Sequence, residues 1–186
     1  MSSASWSKIS FLTSREKNPS KVKILGIDPG SIRCGYGLIE ILHKGAAYVT
    51  SGTIAPSATR PLHERLKYIH EGLIAIIRNY RPDHVVVEKM FYAKSVRAAM
   101  SLGYARGIAL LAAAEEGIDL HECSALEVKK SVVGYGKAEK EQVQKMVRLI
   151  LNLQGDLSPD SADAIALALC YANTIKFSDA VKKSNK

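Results

Sequence analysis

The chain has 186 residues, a hydrophobic fraction of 47% and a formal net charge of +8. That length supports one domain with a sizeable core, and the moderate basicity favours a polyanionic partner without naming one. No apolar run reaches membrane-spanning length. Cys34, Cys123 and Cys170 are far apart and lack metal-ligand spacing, so they read as free thiols of a reducing cytosol.

Both ends differ in composition from the middle. Residues 1–20 hold seven serines and a single acidic residue, Glu16, and their apolar stretch at 9–12 is too short and polar for a secretory signal. A disordered Ser-rich extension is expected there. Residues 176–186, with Lys182, Lys183 and Lys186, read as a basic disordered tail. The folded domain is therefore expected over 21–175.

The first strand is the run Ile24-Leu25-Gly26-Ile27-Asp28, which ends in a carboxylate and is followed at once by Pro29-Gly30. Asp before Pro-Gly is ordinary turn chemistry, but an ionised Asp at the end of a buried strand is costly unless something compensates it. Strands over Gly35–Ile41 and Ala46–Ile54 follow after short links, which predicts an antiparallel meander. From Leu62 the apolar positions Leu66, Ile69, Leu73, Ile76 and Ile77 recur in steps of three and four, a helix that Pro82 ends.

Asp83–Glu88 is a second apolar run that terminates in a carboxylate. A helix between two strands is a crossover, so this strand runs parallel to an earlier one. Beside the first strand, it would set Glu88 next to Asp28. A long Ala-rich helix is expected from Ser95 to Glu116, with Gly103 and Gly107 four apart and apolar residues around much of its circumference. Such a helix is either sandwiched within the monomer or part of a symmetric subunit interface. A fifth strand covers Asp119–Cys123, and Ser124-Ala125-Leu126-Glu127 has capping-box spacing. Helices are then expected over Glu139–Leu151 and from Ser158-Pro159-Asp160 to about Tyr171, the latter with Ser as N-cap and Pro in the first turn. Meander, crossover and flanking helices together predict one α/β domain with a mixed sheet.

Asp160 and Asp163 project from nearly one face of the last helix. Compensation of the helix dipole, worth roughly 0.3–1 kcal/mol each, explains Asp160 well and Asp163 less well. Together with Asp28 and Glu88 they form a set of hard oxygen ligands suited to Mg²⁺ or Mn²⁺, able to hold two ions about 3.5–4 Å apart for phosphodiester hydrolysis.

These residues sit in an ordered set of motifs: Gly26-Ile27-Asp28-Pro29-Gly30 with Gly35-Tyr36-Gly37, Val87-Glu88-Lys89-Met90-Phe91 with Ala93-Lys94, and Leu102-Gly103-Tyr104-Ala105-Arg106-Gly107. Val128-Lys129-Lys130-Ser131-Val132-Val133-Gly134, Ala138-Glu139-Lys140 and Asp160-Ser161-Ala162-Asp163-Ala164 complete the order. In this the chain resembles the RuvC-type Holliday-junction endonucleases of the ribonuclease H-like superfamily, from about Val22 to Tyr171. The resemblance implies a five-stranded sheet ordered 3-2-1-4-5, with Asp28, Glu88, Asp160 and Asp163 as catalytic metal ligands. It further implies Mg²⁺ as cofactor, with Mn²⁺ a possible substitute, and cytoplasmic paired nicking of four-way DNA junctions by a homodimer that works with a RuvA/RuvB-type branch-migration complex. Products would carry 5′-phosphate and 3′-hydroxyl ends.

Phe91 matches the family's junction-stacking aromatic, the reading favoured over Phe91 and Tyr92 simply packing beneath their loop. Lys129 and Lys140 match lysines near the scissile phosphate, and with Lys94, Arg97, Lys130 and Lys137 they would form a phosphate-binding surface. Two rivals fare worse. An actin-like phosphotransferase needs a second phosphate loop and a second domain, and a non-catalytic junction binder predicts a lost carboxylate.

Overall fold

The computed structural model describes residues 21–89 and 95–184, the last eight of these as backbone alone. Five strands, β1 (Val22–Asp28), β2 (Cys34–Ile41), β3 (Ala46–Ile54), β4 (His84–Glu88) and β5 (Asp119–Cys123), form one sheet in the order β3-β2-β1-β4-β5. The β1, β2 and β3 pairings are antiparallel, as a meander requires, whereas β4 runs parallel to β1 and β5 parallel to β4. Each parallel step follows a helix, α1 (Leu62–Tyr80) or α2 (Val96–Glu115), because a parallel neighbour can be reached only by a crossover.

The central strands β1, β2 and β4 are buried on both faces, and their alternation sorts the side chains into two cores. Leu25, Ile27, Leu38, Val85 and Val87 point towards α1 and α2, meeting Ile69, Leu73, Ile77, Ala109 and Ala112. Ile24, Ile39, Val86 and Cys123 point the other way, towards α3 (Ala125–Val133), α4 (Lys140–Ile150) and α5 (Pro159–Ser184). The result is three layers, helix pair, sheet and helix trio. Full burial of each large aliphatic side chain contributes roughly 1.5–3 kcal/mol, and eleven Ile, Leu and Val residues of the two cores are fully buried in β1, β2, β4 and α1 alone. A core of that size can carry a desolvated carboxylate at its edge.

Local signals set the helix starts. Ser95 caps α2 by accepting from the Ala98 N–H at 3.2 Å, and Ser124 and Glu127 form the capping box expected of α3. At α5 the Ser158 hydroxyl accepts from the Ser161 N–H at 3.2 Å, with Pro159 in the first turn. Helix α1 stops where Arg81 turns left-handed, φ 50°, just before Pro82.

The last helix departs from expectation. It continues past Tyr171 to Ser184, through most of the segment expected to be a loose tail from residue 176. No Gly or Pro follows Pro159 in this helix to stop it. Two long-range contacts also anchor it beyond Tyr171: Asn173 Nδ2 donates to Ser131 Oγ at 3.0 Å, and Lys176 Nζ donates to the Gly45 carbonyl at 2.6 Å. Among the described residues no helix is long and apolar enough to cross a membrane.

Candidate active site: a carboxylate cleft

Sheet register brings the two strand-ending carboxylates together. Ile27 pairs with Val87 across the parallel β1–β4 step, so Asp28 and Glu88 are the next neighbours at the same sheet edge. Strand alternation then decides their face. Ile27 and Val87 enter the α1–α2 core, so the residues that follow them turn towards α5.

Helix α5 can lie close to β1 and β2 because its contact strip has almost no side chains. A Cβ at Gly26 would run into the Ala164 carbonyl, one at Gly35 into the Asp160 carbonyl, and one at Gly37 into Ile165. Those three glycines face the first turns of α5, where Asp160 and Asp163 stand. The Gly-x-Gly pattern of β2 is thus a seat for the end of α5 that carries Asp160 and Asp163.

Asp28, Glu88 and Asp163 line one cleft of about 390 Å³, together with Lys129, Lys140 and an apolar wall that includes Val128, Val143 and Leu167. Burial, reinforced by the charges of Asp163, Glu88 and Asp160, pushes Asp28 up to about 7, and Lys140 only partly offsets this. Glu88 is raised in the same way, by burial first and by Asp163 second. Lys140 Nζ sits 2.5 Å from Asp163 Oδ2, and that hydrogen bond holds the ammonium above its usual value. At the rim, Arg33 Nε donates to Asp160 Oδ2 at 2.6 Å.

Two ammonium or guanidinium groups therefore already sit on two of the four carboxylates. Among the described residues no three His, Cys, Asp or Glu side chains are gathered as a ready-made metal cage. The donor chemistry nevertheless fits a hard divalent cation. Oxygen ligands surround a carboxyl, Asp28, whose ionisation the protein disfavours and a cation would favour.

Of the expected DNA-contacting residues, Lys129 and Lys140 line the cleft, while Lys137, Lys130 and Arg97 are exposed outside its wall. Phe91 and Lys94 lie outside the described residues. Arg33 was not anticipated from the sequence. The available signal was a cation inside the β1–β2 link, five residues after Asp28, but nothing local points it at Asp160.

The comparisons agree with this geometry. The family model for crossover junction endodeoxyribonuclease RuvC matches residues 24–171. The chain is 45% identical over 158 residues to the crossover junction endodeoxyribonuclease RuvC of Syntrophotalea carbinolica, covering 85% of this chain and 98% of that protein. It is 47% identical over 153 residues to that of Heliobacterium modesticaldum, covering 82% and 94%. Among solved structures, Thermus thermophilus RuvC in complex with a Holliday junction substrate superposes with a TM-score of 0.80 at 31% identity, over 84% of this chain and 96% of that one. The yeast mitochondrial Holliday junction resolvase Ydc2 shares the fold at a TM-score of 0.58 and 12% identity, over 89% and 86%. With a ribonuclease H-like sheet, a carboxylate cleft at its edge and relatives matched almost end to end, this chain belongs to the RuvC family of crossover junction endodeoxyribonucleases.

Proposed function

We propose that this chain is a metal-dependent endonuclease that resolves four-way DNA junctions by paired, symmetric nicks during recombination and repair in the cytoplasm. The observation that carries the reading is Asp28, Glu88 and Asp163 sharing one cleft with Lys129 and Lys140. An acidic centre flanked by lysines matches a reaction in which an anionic phosphodiester must approach carboxylates.

Asp28, Glu88, Asp160 and Asp163 would hold the divalent cations, Mg²⁺ in the first instance. When bound, such ions lower the pKa of an attacking water and neutralise the leaving oxygen. The chain's own groups do the rest. Lys140 and Lys129 draw the phosphate into the cleft and offset its charge. The Lys140 ammonium is tied to Asp163 and can exchange that partner for a phosphate oxygen once another cation satisfies the carboxylate. The apolar wall of Val128, Val143 and Leu167 keeps that end of the cleft dry, which strengthens every charge interaction inside it. Attack by water at phosphorus with departure of the 3′ oxygen gives 5′-phosphate and 3′-hydroxyl ends. Phe91 and Lys94, on the segment after Glu88, would stack on and anchor the junction, with Lys137 adding a phosphate contact.

Two such sites are needed for two opposed strands, so the active unit is a homodimer, delivered to junctions by a RuvA/RuvB-type branch-migration complex. The exposed apolar stripe of α2 supports the dimer. Val96, Met100, Tyr104 and Leu111 are exposed along one line of that helix, beside Gly103 and Gly107, where an added Cβ would meet nothing within 4 Å.

The test is incubation with a mobile four-way junction and its matching linear duplex, in Mg²⁺ or chelator. Symmetric nicks on the junction alone, and only with metal, are expected. Asp28→Asn should lose cleavage but keep or tighten junction binding, since it removes a negative charge facing a phosphate. Equal cutting of both substrates would move the chain to a different nuclease activity, and binding without cutting would leave it a structural binder.

A further inference from the structure

Behind the carboxylates, on the α5 side of the sheet, two of the three cysteines meet. Cys123 ends β5 and Cys170 lies on α5, and both are free and buried. The two thiols lie within hydrogen-bond reach of each other, and the Ser131 hydroxyl lies beside Cys170. Asn173 Nδ2 in turn donates to Ser131 Oγ at 3.0 Å, which leaves the Ser131 proton free to point at sulfur. Both thiols line a cavity of about 500 Å³, together with Glu127, Lys130, Ser131 and Thr174. This cavity is separate from the catalytic cleft and plays no part in the mechanism above.

We propose that Cys123 and Cys170 are a redox-active dithiol, which hydrogen peroxide entering this cavity converts to a disulfide tying β5 to α5. The two sulfurs are not equivalent. Cys170 has the Ser131 hydroxyl as an additional neighbour that favours its thiolate, whereas burial holds Cys123 above the ordinary thiol value. Cys170 is therefore the attacking sulfur. Its thiolate attacks one peroxide oxygen, an S–O bond forms, the O–O bond breaks and hydroxide leaves. That hydroxide takes the proton Cys170 gave up, making the first water. The Cys123 sulfur then displaces the hydroxyl from Cys170, forming the S–S bond, and the Cys123 proton leaves with that hydroxyl as the second water. Two thiols are oxidised and one peroxide becomes two waters.

Cys34 supplies the internal contrast. It is fully buried, lines neither cavity, and is pushed up to about 12 by burial. The dithiol also touches the elements that carry the carboxylates. Cys123 pairs with Glu88 across β4 and β5, its carbonyl accepts from the Lys89 N–H at 2.9 Å, and Cys170 lies two turns after Asp163. Any effect of the disulfide on junction cleavage rests on the proposed function, but the thiol chemistry does not.

The full chain, reduced and then freed of reductant, is treated with hydrogen peroxide, quenched with catalase, unfolded and titrated for thiols. The expected count falls from three to one, dithiothreitol restores it, and peptide mapping joins the Cys123 and Cys170 peptides. Cys123→Ser should stop at a sulfenic acid on Cys170 that dimedone traps, and Ser131→Ala should slow oxidation several-fold. Three thiols persisting after peroxide, loss of Cys34 instead, or cross-links only between chains would each overturn the proposal, whatever the cleavage assay reads.

Discussion

At Asp28, burial and three neighbouring carboxylates oppose ionisation, and the Lys140 ammonium offsets only part of this. The group titrates near 7 in the folded chain against an ordinary 3.8, so between those values the unfolded chain has lost a proton that the native one keeps. Stability of the metal-free protein therefore falls as pH rises through that window, and the whole deficit is present above it. Glu88 acts in the same direction. Asp28→Asn removes the penalty. In chelator at pH 8 its Tm is expected above wild type, by about 2–4 °C for each kcal/mol recovered in a domain of this size. At pH 4, where wild-type Asp28 is protonated in the folded chain, the gain should vanish. Adding Mg²⁺ should raise the wild-type Tm and move the variant much less, since a cation that binds only the native state stabilises it. A variant less stable at both pH values would mean that Asp28 is a turn-forming residue first, the alternative its Pro-Gly neighbours leave open.

One step up, the contact between α5 and the β1–β2 pair sets where Asp160 and Asp163 stand. It depends on glycines that leave no room for a methyl group, with the Ala164 carbonyl against Gly26 and Ile165 against Gly37. Gly26→Ala should therefore cost about 1–3 kcal/mol or more, because backbone rather than a flexible side chain must yield. Urea unfolding in the presence of chelator reads that loss directly, and a midpoint equal to wild type would mean α5 is free to lift. The elements themselves were legible because their signals are local: apolar runs ending in carboxylates, Ser95 and Ser124 as caps, Pro82 as a stop. The crossover made β4 parallel to an earlier strand but did not say which; the order that sets Asp28 beside Glu88 came from the family resemblance, and the sheet has that order. Their convergence with α5 was less legible. Nothing within a short window says that Arg33 will hold Asp160, 127 residues away, or which surface Gly35 and Gly37 make room for. The length of α5 was misjudged for a related reason. Its lysine-rich end reads as tail by composition, while the contacts that anchor it, to Ser131 and Gly45, come from distant parts of the chain.

For the molecule as a whole, the open face of α2 presents a line of exposed apolar residues that the monomer does not cover. Its other side meets α1 and the sheet through Ala109, Ala112 and Ala113, so the sandwiched reading of this helix accounts for only part of it. The remaining stripe exposes Val96 by 78%, Met100 by 53%, Tyr104 by 45% and Leu111 by 47%, a run of apolar residues that a lone chain gains nothing by presenting to water. A two-fold contact would pack this stripe against its own copy and present two clefts at once, as a four-stranded junction requires. Leu111→Glu tests this without touching the core, because the residue is half-exposed in the monomer. The circular dichroism spectrum should stay unchanged, while the dimer dissociation constant in sedimentation rises at least tenfold, the equivalent of about 1.4 kcal/mol. Junction cleavage should then lose its pairing, so that single nicks accumulate before the second strand is cut. If the wild-type chain sediments as a monomer at micromolar concentration and still cuts both strands together, the stripe serves another partner and the two nicks are coupled through the DNA.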